Sequence, residues 1–176
     1  MRVGLFGLPG SGKTVAAQRL AEELNLCLVK TGTMLRELVD EDSKRGREIK
    51  RALSEGVLVE NGLVSEIVKE KIEGEDCLNG FVVDGYPRDI EQLKSFDPQF
   101  THIIFLKVSE KTIRERLLKR GREDDTPELI EKRLEVQSVE LGRVLDYFRD
   151  NLIEIDGEKT EEEVLTNILN ELNTKN

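Results

Sequence analysis

Residues 7–14 read GLPGSGKT, a complete match to G-x-x-x-x-G-K-[ST]. The chemistry such a pattern can do is the capture of a nucleotide's phosphates. Gly7, Gly10 and Gly12 let the backbone bend with its N–H groups turned inward, and the helix that follows adds its positive N-terminal end. Lys13 is placed to reach the outer phosphates, and the Thr14 hydroxyl to meet a magnesium ion. An apolar run, Val3 to Phe6, precedes the motif. Val15, Ala16, Ala17, Leu20 and Leu24 follow it at helical spacing. The motif therefore lies between a strand and a helix, the context that gives the pattern its meaning.

A second set of reactive residues lies further on. Phe81-Val82-Val83-Asp84 is an apolar run that ends in a carboxylate, and Gly85, Tyr86, Pro87 and Arg88 follow. A carboxylate at a strand end beside a phosphate loop orders the shell of a magnesium ion. Gly85 and Pro87 predict a tight bend that aims Arg88 into the crevice beyond the strand ends. From Lys107 to Arg122 there are seven Lys or Arg against Glu110 and Glu115. Lys111, Arg114 and Lys119 read as a solvated helix face. Arg120 and Arg122 flank Gly121 in a loop, next to Glu123, Asp124 and Asp125, with Arg133 in the next helix. Transfer of a phosphoryl group needs several fixed positive groups around three charged oxygens, and the forked guanidinium suits that task.

Strands and helices must alternate to bring these residues together. Strands are expected at Arg2–Phe6, Leu26–Val29, Phe81–Asp84, Thr101–Val108 and Leu152–Ile155. Helices are expected near 13–24, 31–41, 44–54, 61–73, 89–95, 109–120, 127–149 and 160–173. This order predicts an α/β fold, a parallel five-stranded sheet with helices on both faces. Thr126-Pro127 is a helix start signal, and Thr160 with Glu163 forms a capping box. Ile130, Leu134, Leu141, Leu145 and Phe148 make one apolar helical stripe. The stretch 31–60 is wholly helical between two strands and is expected to stand off the sheet as a small insert.

Composition narrows the class. With 176 residues the chain is one domain by length. A net charge of −9 argues against a general nucleic-acid surface. Apolar runs such as Ile103 to Leu106 are too short to cross a membrane, and no secretion signal opens the sequence. Abundant Glu, Lys and Arg without Trp lean toward a thermophile. Cys27 and Cys77 lie far apart with no C-x-x-C pair and no metal-ligand spacing, and read as two reduced cytosolic thiols. His102, the single histidine, reads as structural.

At this point the chain resembles an adenylate kinase of the short-lid type, within the nucleoside monophosphate kinases. The resemblance runs nearly end to end. It is carried by GLPGSGKT at 7–14, TGTMLRE at 31–37, GVLVENGLV at 56–64, DGYPRDIEQ at 84–92, RGREDD at 120–125, KRLEV at 132–136 and IDG at 155–157. It implies a P-loop NTPase fold with a core of 1–30, 61–119 and 127–176, a flap for the monophosphate at 31–60 and a short lid at 120–126. It implies magnesium-dependent transfer of the ATP γ-phosphoryl group to AMP, giving two ADP, in a cytoplasmic monomer. Gly10, Ser11, Gly12, Lys13, Thr14, Val15, Arg116, Arg120 and Gly157 match ATP contacts. Thr31, Arg36, Val57, Leu58, Val59, Gly85, Tyr86, Pro87, Arg88, Gln92, Arg122 and Arg133 match the AMP side, with Gln92 on the adenine. Lys13, Arg88, Arg120, Arg122 and Arg133 match the groups that grip the transferred phosphoryl. Asp124 and Asp125 match the carboxylates that hold the lid arginines in the closed form. Thr14 and Asp84 match the outer shell of the magnesium ion.

Four positions depart from the family pattern. Lys-Gly-Thr is here Lys13-Thr14-Val15, the common Asp after Thr-Gly is Thr33, a common Tyr is Gln137, and the lid carries no zinc-type cysteines. No structural zinc is expected. Two other readings stay open on the residues: a kinase for UMP or CMP, and a P-loop switch or assembly factor with little transferase activity.

Overall fold

The computed structural model describes residues 1–121 and 126–174. Five strands form one parallel sheet: β1 (Arg2–Phe6), β2 (Cys27–Lys30), β3 (Phe81–Asp84), β4 (His102–Lys107) and β5 (Leu152–Asp156), in the order β2-β3-β1-β4-β5. Among the described residues eight α-helices lie between and after them: α1 (Lys13–Leu24), α2 (Thr31–Leu38), α3 (Lys44–Glu55), α4 (Asn61–Ile72), α5 (Glu91–Ser95), α6 (Glu110–Arg120), α7 (Pro127–Tyr147) and α8 (Glu161–Thr174). The first strand stands between β3 and β4, so the chain runs outward on either side of it. Open parallel sheets hold their ligands in the crevice at such a reversal, outside the carboxyl ends of the strands.

Alternation along each strand divides the core. Val3 and Leu5 of β1, Val82 of β3, and Ile104 and Leu106 of β4 face α1 and α8, meeting Ala17, Leu20 and Ile168. Their neighbours point the other way. Phe81 and Val83 join Val64, Ile67 and Val68 of α4, and Phe6 and Ile103 pack on Val144 of α7. The near-continuous apolar reading of these strands follows from burial on both faces. Leu35 of α2 and Ile49 of α3 belong to the same cluster as α4 and β3, so the 31–60 insert is anchored on that side of the sheet.

Local start signals work as the sequence reads. Thr126 accepts from the Leu129 N–H with Pro127 at the first turn, and Thr160 and Glu163 cap each other's backbone N–H groups. The helix expected at 31–41 stops at Leu38, because Ser43 restarts the chain as the cap of α3 by accepting from the Gly46 N–H. The helix expected at 127–149 ends at Tyr147, and a single 3-10 turn, Arg149–Asn151, leads into β5.

The cysteine reading is corrected. Cys27 and Cys77 form a disulfide, with Cα atoms 4.8 Å apart. Cys27 opens β2 opposite Phe81 of β3, and the turn before β3 carries Cys77 back beside that register. Strand pairing, not sequence spacing, brings the two sulfurs together. The bridge lies at the amino ends of the strands, away from the crevice. Asp76 sits beside it, but both sulfurs are committed to each other.

Candidate active site

The phosphate loop begins where β1 ends. Gly10 has φ +85°, and a Cβ there would stand 2.9 Å from Leu117 Cγ, so α6 packs directly against bare backbone. Gly12, at φ +91°, is the residue before α1, and no side chain caps that helix. Its first N–H groups therefore face the loop with the helix dipole behind them, an arrangement that suits an anion. Lys13 curls over the loop and donates to the Leu8 carbonyl at 3.1 Å.

Asp84, at the end of β3, pairs in register with Leu5 of β1. It accepts a 2.5 Å hydrogen bond from the Thr14 hydroxyl through Oδ2. Its other oxygen, Oδ1, is buried without a partner among the described residues. A buried carboxylate oxygen left this way calls for a cation or an ordered water. The donor set of one carboxylate and one hydroxyl beside a phosphate loop is hard and oxygen-based, so these residues fit the outer shell of a magnesium ion.

Positive charge converges on the same crevice. Lys13, Arg36, Arg88, Arg120 and Arg133 all line it together with Thr14, Gly32 and Asp84. Asp84 is the carboxylate among its described lining residues. Gly85, at φ +86°, turns the chain after β3, and Arg88 then folds back so that its Nε donates to the Gly85 carbonyl at 3.1 Å. A Cβ on Gly32 would lie 3.4 Å from one Arg88 nitrogen and 3.5 Å from an Arg36 nitrogen, which brings two guanidinium groups to one spot. Burial lowers the Arg88 pKa from its ordinary value; Asp84 opposes that shift and Arg133 adds to it. The group remains a cation at neutral pH. A desolvated cation of this kind is a strong anchor for a phosphate.

A second cleft lies across the phosphate loop. Ser11, Gly12, Val15, Arg116 and Gly157 line it, with Lys159 at its edge. Arg116 bridges its walls, donating to the Ser11 carbonyl at 3.3 Å and the Gly157 carbonyl at 3.0 Å. Of the residues matched to ATP, Ser11, Gly12, Val15, Arg116 and Gly157 line this cleft, while Lys13, Thr14 and Arg120 line the crevice that holds Arg36, Val57, Arg88 and Arg133.

Some expected site residues stand elsewhere. Tyr86 is fully buried, its hydroxyl 2.6 Å from the Phe96 carbonyl and 2.9 Å from the Gln92 carbonyl, which share its one hydrogen, so its side chain is turned into the core. Gln92 is 1% exposed; its Oε1 accepts from the Arg88 N–H and its Nε2 donates to Asn61. Val57 lines the crevice, while Val59 is buried in the core cluster and Leu58 lies between them. Pro87 lies on the Gly85–Arg88 turn beside Lys13 and Gln137. Thr31 is buried with its hydroxyl unpartnered among the described residues. Arg122, Asp124 and Asp125 lie outside the described residues. Thr33 and Gln137, two of the departures from the family pattern, both line the crevice. Sequence reading passed over Asn61 and Asp89, which hydrogen-bond to each other across 28 positions of the chain.

A parallel sheet, a phosphate loop and a ring of arginines around an adjoining crevice define a P-loop nucleotide kinase. The chain belongs to the adenylate kinase family, whose model matches residues 5–153. It is 38% identical over 179 residues to the adenylate kinase of Mycobacterium tuberculosis (strain ATCC 25618 / H37Rv), spanning 98% of this chain and 99% of that protein. The adenylate kinase of Mycobacterium leprae (strain TN) is 36% identical over the same spans. That of Mycolicibacterium paratuberculosis is 36% identical over 176 residues, with 96% of this chain and 97% of that protein covered. The chain is accordingly a nucleotide-binding phosphotransferase with the function of an adenylate kinase. No helix among the described residues is long and apolar enough to cross a membrane.

Proposed function

We propose that the cleft beside Arg116 and Gly157 takes ATP, that the arginine-lined crevice takes AMP, and that the γ-phosphoryl group passes between them over the phosphate loop. The observation that carries this reading is the convergence of Lys13, Arg36, Arg88, Arg120 and Arg133 on one crevice beside the Thr14–Asp84 pair. The acceptor phosphate is already ionised, so the reaction needs no strong general base. The work is alignment of an in-line attack and neutralisation of charge on the moving group. Lys13 and Arg120 follow that group, while Arg88 and Arg36 hold the acceptor phosphate. Thr14 and Asp84 would hold the water shell of a magnesium ion, which would supply charge neutralisation for the donor phosphates.

Arg122, Asp124 and Asp125 complete the short lid in this reading, with closure excluding water from the transfer. Val57 and the unused valences of Gln92 meet the adenine edge: one amide hydrogen and one oxygen lone pair of Gln92 remain beyond the bonds it makes in the protein. The enzyme works as a cytoplasmic monomer. No feature of the described site favours a pyrimidine kinase or a switch. The test is ADP formation by the purified protein with ATP and magnesium against AMP, CMP, UMP, GMP and dTMP. AMP should exceed CMP and UMP by at least ~100-fold in kcat/KM, a difference of about 2.7 kcal/mol. Equal use of UMP or CMP would overturn the acceptor assignment.

A further inference from the structure

Behind Arg88 runs a chain of side-chain hydrogen bonds with a fixed polarity. The Arg88 N–H donates to Gln92 Oε1 at 2.9 Å. Gln92 Nε2 donates to Asn61 Oδ1 at 3.1 Å. Asn61 Nδ2 donates to Asp89 Oδ2 at 2.8 Å, and Asp89 Oδ1 accepts from the Glu91 N–H at 2.9 Å. An amide side chain can be turned end for end, but the two ends of this chain cannot. A backbone N–H only donates and a carboxylate only accepts, so each end dictates the orientation of both amides. All four bonds agree. Gln92 is almost fully buried, so a reversed amide would leave polar groups facing their own kind without water to relieve them.

The chain also joins two separate elements. Asn61 is the first residue of α4, immediately after the 31–60 insert, and Arg88 lies on the turn after β3. Ser65 of α4 stands at the same junction, its hydroxyl 2.8 Å from the Asn61 carbonyl and 3.2 Å from the Gln92 carbonyl. We propose that Asn61 is a positioning residue for the acceptor: with Asp89 it fixes the orientation of the Gln92 amide and, through it, the seat of Arg88. The proposal rests on the reading of the arginine-lined crevice as the AMP side.

The test exploits the asymmetry of Asn and Asp. Asn61→Asp keeps an acceptor for Gln92 but sets two carboxylates against each other. Asp89→Asn leaves three amides between two backbone donors, so one N–H must face another. The double variant, Asn61→Asp with Asp89→Asn, restores every bond. Its amide at position 89 keeps an oxygen on the Glu91 N–H and donates to the carboxylate at position 61, which still accepts from Gln92. Each single variant should raise KM for AMP about tenfold while KM for ATP stays near wild type, and the double variant should return to within about threefold. Wild-type KM for AMP in both singles would overturn the proposal. So would a folded double variant as poor as the worse single, which stays readable even if one single fails to fold. Failure of the underlying reading is separate: wild-type protein would then make no ADP from AMP before any residue is changed.

Discussion

Thr14 and Asp84 are seventy positions apart, and the threonine hydroxyl donates a 2.5 Å hydrogen bond to the carboxylate. The bond ties the start of α1 to the end of β3 and leaves Asp84 Oδ1 buried with no partner among the described residues. In the proposed reading that oxygen would face the water shell of a bound magnesium ion. Thr14→Val keeps the shape and deletes the hydroxyl. We expect kcat to fall about 10- to 100-fold, with more magnesium needed for half-maximal rate, in keeping with the loss of a charge-assisted hydrogen bond that acts in transfer. A magnesium titration at fixed ATP reads both effects. An unchanged magnesium requirement would return the pair to a purely structural role.

Lys13 lies over the phosphate loop and also lines the arginine-rich crevice. A charge in that place can follow the phosphoryl group as it moves. Lys13→Met should lower kcat by about two to four orders of magnitude, or roughly 3–5 kcal/mol of transition-state stabilisation, with the fold retained by circular dichroism. Near-normal turnover in a folded variant would sink the transfer mechanism.

Arg88 and Arg116 line different clefts. Arg88→Ala should mainly raise KM for AMP, and Arg116→Ala should mainly raise KM for ATP, each by about tenfold or more. Steady-state kinetics with each substrate varied in turn separates them. A rise in KM for ATP alone on losing Arg88 would mean that the clefts are assigned the wrong way round.

Tyr86 has its pKa raised to about 12, chiefly by burial, with a hydrogen bond to Ser65 lowering it and Asp97 raising it. In the unfolded chain the phenol ionises near pH 10. The neutral form is therefore the one the fold favours. Its contribution is complete below about pH 10 and is lost as pH rises toward 12. Tyr86→Phe also leaves the Gln92 and Phe96 carbonyls without this donor. It should lose about 1–3 kcal/mol at neutral pH and show a flatter loss of stability from pH 10 to 12. Urea unfolding across that range checks both, and a steeper alkaline loss in the variant would contradict the assignment.

Much of the scaffold was legible because short-range rules govern it. β1 and β3 end where the apolar runs end, and the Thr126 and Thr160 caps act within one helical turn. The phosphate loop was legible for the same reason, since its glycines, lysine and threonine act locally. What escaped depends on distance. The order of the strands places Cys27 beside Cys77, and no spacing rule carries that information. In DGYPR, adjacency suggests that all five residues serve the site. The turn at Gly85 instead sends Arg88 into the crevice and Tyr86 into the core. Asn61 reads as an ordinary helix-start residue, because its partner Gln92 is 31 positions away.

The disulfide has a topological consequence. Cys27 and Cys77 close a covalent ring that contains all of β2, α2, α3 and α4. A single protease cut anywhere from Leu28 to Asp76 opens that ring without dividing the molecule. Nicked protein would run as one species until a reductant is added and would then separate into two fragments. A cut in the long helix α7 would divide it at once.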